Sequence, residues 1–358
     1  MTRVLSGVQP TGNAHLGAYL GAFRQWARAQ HRHDAFYFVA DLHALTAEQD
    51  PAVLRRRTLE LATLLLASGL DPEVCTIFVQ SQVPEHARLT WLLQCTATMG
   101  QLRRMTQFKE KGGGQDAVPA GLFAYPVLMA ADVLLYDADL VPVGDDQRQH
   151  LELTRDLAQR FNHRYGDVLV VPEAAVESVA ARVMDLQEPT RKMSKSVTSP
   201  LGTIEILDEP EVIERKVARA VTDSEAGVRY DPQQRPGVSN LLEMLSACEG
   251  RSPAELAGRY DRYGPLKADV AAAVVELLRP VRERYGELAG DPTSVLAVLE
   301  DGCARAREVA SATYQRASAA MGLLPRGGVS LRLPPGAAEP APPAPRRSPA
   351  AGGARPPT

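Results

Sequence analysis

Lys192 and Lys195 flank Met193 and Ser194 within the run RKMSKS at Arg191–Ser196. Two ammonium groups spaced this way on a loop make a mobile grip for a polyphosphate, because lysine acts as a point charge that can let its ligand go again. The segment QPTGNAHLG at Gln9–Gly17 supplies a complementary part. There Pro10, Thr11 and Gly12 turn the chain out of a short strand and deliver His15, Leu16 and Gly17 at a helix start. Unpaired backbone N–H groups and the positive end of the helix dipole favour phosphate at such a start. His15 can donate to a phosphate oxygen, and Gly17 lets an adenosine approach the backbone. Gly7, Gly12 and Gly17 lack the GxGxxG spacing of a dinucleotide site. The two segments, in this order, point to an enzyme that consumes ATP and transfers an adenylyl group.

The elements that must hold these segments alternate. Arg3–Leu5 reads as a short buried strand, and His15–Gln30 as a helix with Leu16, Tyr19, Leu20, Phe23 and Ala27 on one face. Ala35–Val39 and Thr76–Gln80 are aromatic or β-branched and read as strands. Between them Asp50 caps a helix with Pro51 at its first position, ending near Ser68–Gly69. Trp91–Met99 and Pro119–Tyr136 read as helices, Leu140–Val143 as a strand and Gln147–Asn162 as a long helix. Strands alternating with helices of this length imply a parallel sheet covered on both faces. From Glu209 to about Met321 the pattern is helix after helix, so the fold class is α/β with an all-α C-terminal part. After Gly327 the chain turns Pro/Ala/Gly-rich, with Arg346, Arg347 and Arg355, and reads as a disordered, mildly basic tail.

Bulk properties set the frame. The 358 residues can hold two domains, with 45% hydrophobic and 23% charged residues as in a soluble globular protein. No apolar run approaches the roughly 20 residues that span a bilayer, and Met1–Ser6 shows no basic-then-apolar export signal. The net charge of -3 gives no global nucleic-acid signature, although a local basic face remains compatible with RNA. Cys75, Cys95, Cys248 and Cys303 lie far apart, which fits free thiols in a reducing cytosol and no structural metal.

PTGNAHLG followed by KMSKS resembles the HIGH and KMSKS pair of class I aminoacyl-tRNA synthetases. The stretches DLHALT, RRMTQFKEK, YPVLMAADVLLY, VPVGDDQRQHLELTRDLAQRFN and AVTDS look like the tryptophanyl-tRNA synthetases, and the likeness runs from about Val4 to Gly322. It implies a Rossmann-like catalytic domain over 1–190, with a dimer-forming insertion around 85–135. It also implies a KMSKS hinge and helical anticodon-binding domain over 191–326, leaving 327–358 as the tail.

Tyr125, Met129 and Asp132 fall at i, i+4 and i+7 and share one helix face. Asp132 can accept one strong hydrogen bond from a buried N–H, as an indole offers, and Met129 gives a polarisable apolar floor. The tyrosyl enzymes carry Gln at the Met129 place, so methionine favours indole. By resemblance, Leu5, Gly7, His43, Val141 and Val143 line the rest of the tryptophan pocket, while Tyr125, Gln147 and Gln9 hold the ammonium and carboxylate. ATP is expected on Gln9, Pro10, Thr11, Gly17, Ala18, Val183, Lys192, Met193, Ser194, Lys195 and Ser196, with Gly144, Asp145 and Asp146 facing the ribose. His15, Lys111, Lys192 and Lys195 are expected to carry catalysis, with Mg2+ arriving on the ATP and no metal site of the protein's own. The implied activity is a cytoplasmic, homodimeric tryptophan–tRNA ligase acting on L-tryptophan and tRNA(Trp), with the dimer interface in the Glu85–Lys111 region and no membrane partner. A tyrosyl enzyme and a tryptophan- or tRNA-binding paralogue that does not charge are the alternatives. Two positions depart from the family: Ala18 stands where Asn is usual after the HxG, and Leu5 where a bulkier or aromatic residue is common.

Overall fold

The computed structural model describes residues 1–106, 119–142, 144, 147–175, 183–194 and 199–324. Three runs rich in β-branched and aromatic side chains form one half of a sheet: β1 (Arg3–Val8), β2 (Asp34–Val39) and β3 (Thr76–Val79). Such near-continuous apolar runs suit strands buried on both faces. With β4 (Leu140–Pro142) and β5 (Glu173–Ala175) they make a five-stranded sheet in the order β3-β2-β1-β4-β5, every pairing parallel. The three-residue edge strand β5 was not expected, because Glu-Ala-Ala carries no strand pattern and owes its form to pairing with β4.

Parallel neighbours need crossovers, and helices supply them. Between β1 and β2 the expected single helix is three pieces: α1 (Leu16–Ala18), a π-helical turn at Tyr19–Phe23, and α2 (Arg24–Ala29). Its last turn buries Trp26 rather than Ala27, since Trp26 stacks on Tyr37 of β2 at 4.9 Å and accepts that tyrosine's hydroxyl on its carbonyl. After α3 (Asp41–Ala44), α4 (Pro51–Ala67) begins as expected, with Asp50 accepting the Val53 N–H and Pro51 at the first position. The helix expected at Trp91–Met99 is instead two, α5 (Glu85–Gln94) and α6 (Met99–Arg103). Thr98 and Gln101 form a reciprocal capping box that starts the second one. Then come α7 (Ala120–Leu134), and α8 (Arg148–Tyr165) beyond β4.

The C-terminal part is helical, from α9 (Pro210–Ala218), α10 (Pro236–Glu249) and α11 (Pro253–Ala257) to the long α12 (Tyr263–Gly290) and α13 (Pro292–Ala320). One hydrophobic cluster joins the π-turn face of the sheet and α4 to α9, α10 and α12. A second, on the opposite face, joins α5, α7 and α8 to Cys303, Ala306, Ala310 and Ala317 of α13. No helix among the described residues is long and apolar enough to cross a membrane. The tail after Gly327 lies outside the described residues.

The chain runs from β1 to β2 on one side, whereas β4 pairs with β1 on the other. That reversal opens a crevice at the carboxyl ends of β1 and β4, where open α/β sheets hold their ligands. The turn after β1 lies there, as do Gly144 and Gln147, the first described residues after β4.

Candidate active site

The cradle is built by a turn and one capping histidine. Gly12 has φ +63°, the left-handed region that favours glycine, and it reverses the chain behind β1. His15 is the N-cap of α1, its Nδ1 accepting the Ala18 N–H at 3.2 Å. In the neutral ring the proton then sits on Nε2, the form that donates to a phosphate. The helix start offers fewer open N–H groups than expected, because Leu16 N–H already donates to Ile204 O and Ala18 N–H to His15. A side chain on Gly17 would meet His15 Nδ1 at 3.1 Å and Val183 Cβ at 3.6 Å. Glycine there keeps the imidazole uncrowded and places Val183, the expected adenine contact, directly against the cradle.

The segment that follows the clamp holds this cradle from below. Glu205 bridges His15 in antiparallel fashion, Ile206 N–H donates to Ala14 O at 3.0 Å, and the Asn13 amide donates to Glu205 Oε2 at 2.8 Å. Asp208 in turn accepts the Glu205 N–H and the nearly buried Lys216 ammonium.

The clamp itself starts as a short antiparallel pairing. Met184 bridges Lys192, Met193 N–H donates to Val183 O at 3.1 Å, and Asp185 N–H donates to Arg191 O at 2.8 Å. Met193 is buried in the core, whereas Lys192 and Ser194 are exposed. Asn240 of α10 grips both backbone groups of Met184, accepting its N–H at 2.8 Å and donating to its O at 3.0 Å. Val183 therefore stands between the two motifs, 3.6 Å from where a side chain on Gly17 would begin and accepting the Met193 N–H on its carbonyl. Lys195 and Ser196 lie outside the described residues, as do Lys111, Val143, Asp145 and Asp146.

On the other side of the crevice, Tyr125, Met129 and Asp132 lie on α7 as their spacing required. Asp132 is 2% exposed and accepts three hydrogen bonds: Gln80 Nε2 (2.7 Å) and His86 Nδ1 (2.6 Å) on Oδ1, and His43 Nε2 (2.7 Å) on Oδ2. Burial pushes its carboxyl up, and the His43 and His86 rings outweigh that, bringing it down to about 2. His43 follows β2 on α3 and meets the Tyr125 ring edge-on at 6.1 Å. The Tyr125 hydroxyl pairs with His150 Nε2 at 2.8 Å, and burial pushes that phenol up to about 12. Leu5 and Val141 are buried in the core layer beneath α7. Gly7 faces the crevice, and the Phe38 ring fills its missing side chain, since a Cβ there would stand 2.4 Å from it. Gln147 opens α8 half-buried with its N–H on Gly144 O, while Gln9 and Gly144 are exposed and Pro10 is buried. Thr11 and Ala18 are half-buried within the cradle.

Sequence reading missed Gln80, His86, Tyr136 and His150. His86 stands 46 residues from Asp132, and no local pattern ties the two before the sheet brings α5 against α7.

The family model for class I tRNA synthetases (W and Y) matches residues 1–279. Tryptophan–tRNA ligase 1 of Streptomyces coelicolor is 58% identical over 330 residues, covering 91% of this chain and 98% of that protein. The chain belongs to the tryptophanyl-tRNA synthetases. The tryptophan–tRNA ligase of Bacillus anthracis is 48% identical, covering 90% of this chain and 98% of that protein. Among solved structures, tryptophanyl-tRNA synthetase from Mycoplasma pneumoniae superposes with a TM-score of 0.84 at 36% identity, covering 90% of this chain and 98% of that one. The Campylobacter jejuni synthetase complexed with ADP and tryptophan gives 0.78 at 35% identity, over 90% of this chain and all of that one. A tyrosyl-tRNA synthetase from Aeropyrum pernix, at 22% identity, shares the fold alone. The resemblance carried by PTGNAHLG and RKMSKS is thus borne out, and the alternatives of a tyrosyl enzyme or a non-charging paralogue are not favoured.

Proposed function

We propose that the buried carboxylate, the cradle and the clamp divide the work of tryptophan–tRNA ligation among them. The chain is an aminoacyl-tRNA ligase. A tryptophan carboxylate oxygen attacks the α-phosphorus of ATP in line, the bond to the bridging oxygen breaks, and pyrophosphate leaves tryptophanyl-AMP. A terminal ribose hydroxyl of tRNA(Trp) then attacks the activated carbonyl, losing its proton, and AMP leaves. No side chain becomes covalently attached. Positioning and charge stabilisation carry the rate.

Asp132 accepts the indole N–H, with Met129, His43, Leu5, Gly7, Val141 and Val143 shaping the slot. Tyr125, Gln147 and Gln9 orient the ammonium and carboxylate. His15 donates from Nε2 to a phosphate oxygen, supported by Pro10, Thr11 and Gly17. Ala18 contributes its backbone alone, so the imidazole carries that part of the grip without an amide beside it. Val183 and Met193 lie against the adenine, Gly144, Asp145 and Asp146 against the ribose, and Ser194 and Ser196 beside the phosphates. Lys111, Lys192 and Lys195 neutralise charge building on the departing pyrophosphate, together with the Mg2+ that arrives on ATP. The observation that carries this reading is a carboxylate at 2% exposure whose three donors, from Gln80, His86 and His43, leave one acceptor position unfilled for a substrate N–H.

The helical part from residue 191 to 326 is assigned to the anticodon, and residues 1–190 to the chemistry, with closure at the RKMSKS hinge coupling them. Work in the cytoplasm fits the four free cysteines. The test is charging of tRNA(Trp) with labelled tryptophan. Lys192→Ala is expected to slow it about a hundredfold or more, as loss of one preorganised donor commonly does; an undiminished rate would remove the clamp from the mechanism.

A further inference from the structure

We propose that His86 is a positioning residue for tryptophan selection, holding Asp132 so that a single acceptor site on Oδ2 remains for the substrate's indole N–H. The proposal rests on the reading of Asp132 as the indole acceptor and goes beyond it, because His86 is fully buried and its ring nitrogens are engaged by Asp132 and Tyr136.

A carboxylate has about four acceptor positions, two on each oxygen. Gln80 and His86 occupy both on Oδ1, and His43 occupies one on Oδ2. One is left, and an indole has one N–H to give. The plane of the carboxylate decides where that last position points, and Oδ1 is the oxygen that two donors fix. His86 is itself fixed from the far side: the Tyr136 hydroxyl lies 2.8 Å from His86 Nε2. When that hydroxyl donates to Nε2, the ring proton is on Nδ1, the atom 2.6 Å from Asp132. The donors then run in one direction, from the Tyr136 O–H through the His86 ring to Asp132, and each lies on a different element. Tyr136 follows α7, His86 is on α5, Gln80 directly follows β3 and His43 is on α3. The ring is also held by packing, with Phe38 and Phe78 each 5.9 Å from its centroid. A buried carboxylate stripped of these donors would rotate or take up a proton. A protonated acid offers a weaker acceptor, and its own O–H would compete for the position the indole needs.

The reading is a specificity ratio. Tryptophan is compared with its benzothiophene analogue, 3-(benzothiophen-3-yl)alanine, which keeps the shape and lacks the N–H. In amino-acid-dependent ATP–pyrophosphate exchange the unaltered chain is expected to favour tryptophan in kcat/KM by roughly tenfold to a hundredfold, the usual weight of a hydrogen bond to a charged group. His86→Leu should cut that preference by about tenfold, through the KM for the amino acid, with the KM for ATP unchanged. His86→Asn, whose amide N–H can stand where Nδ1–H stood, should keep the preference within about threefold. If the unaltered chain shows no preference, the Asp132 reading fails and this proposal with it. If the chain discriminates and His86→Leu discriminates equally, His86 alone is overturned. A loss in His86→Leu that raises the KM for ATP to the same degree would mean general disruption and would also overturn it. Should His86→Leu fail to fold, Tyr136→Phe decides in the same assay: a preference weakened about threefold or more supports the relay, and an unchanged one overturns it.

Discussion

At the scale of single residues, Asp132 shows how environment sets chemistry. An isolated carboxyl at 2% exposure would be driven towards its neutral form by burial, yet His43 and His86 bring it down to about 2. The sign follows from the direction. A carboxyl lowered in the folded state keeps its ionised interactions above its ordinary value near 4, and loses them only as pH falls towards about 2. Tryptophan affinity, measured by calorimetry, should therefore show no acid limb from Asp132 between pH 8 and 5. Asp132→Asn should weaken tryptophan binding about tenfold to a hundredfold while leaving ATP binding alone. An acid limb centred between pH 4 and 6 that vanishes in Asp132→Asn would contradict the assignment. Asp132, Tyr125 and Met129 were legible because helical spacing puts i, i+4 and i+7 on one face. His86 and Gln80 were not, since only the folded sheet brings β3, α5 and α7 together. His15 was legible as the residue that opens a helix, but its tautomer was not, because that depends on a backbone N–H found only once the helix start is built.

At the scale of elements, close approach matters as much as pattern. Gly302 on α13 lies so near the backbone of β3 that a Cβ would stand 1.8 Å from Ile77 O. Backbone is the least yielding neighbour, so Gly302→Ala should push α13 off the sheet and destabilise the fold by about 1–3 kcal/mol. A thermal denaturation midpoint unchanged in that variant would mean that the helix does not lie there. The sequence made α13 readable as a helix, and nothing in its periodicity said that it returns to cover β3. Asp50 with Pro51 marked the start of α4 correctly because capping is local chemistry. The α5–α6 break was missed, although Thr98 and Gln101 carry its signature, because an apolar run was read across them. Tertiary stacking of Trp26 on Tyr37 likewise outweighed the Ala27 stripe.

At the scale of the whole molecule, the strand order places the turn after β1 at the crevice beside the carboxyl end of β4, and the alternation of strands and helices was enough to expect that. Which strand would flank β1 was set by pairing that no single segment encodes. Trp91 and Met99, on α5 and α6, are 66% and 59% exposed. Apolar side chains this open on neighbouring helices fit a self-complementary face, in the 85–111 stretch assigned to a dimer. Light scattering should give twice the chain's 38.7 kDa, and Trp91→Glu should return the single-chain mass; a monomer in both would refute the dimer. Activation of tryptophan by ATP in this crevice is read out by ATP–pyrophosphate exchange with the purified chain and each amino acid in turn. Exchange is expected to depend on tryptophan and to stay near background with tyrosine. No exchange with tryptophan, or faster exchange with tyrosine, would contradict it.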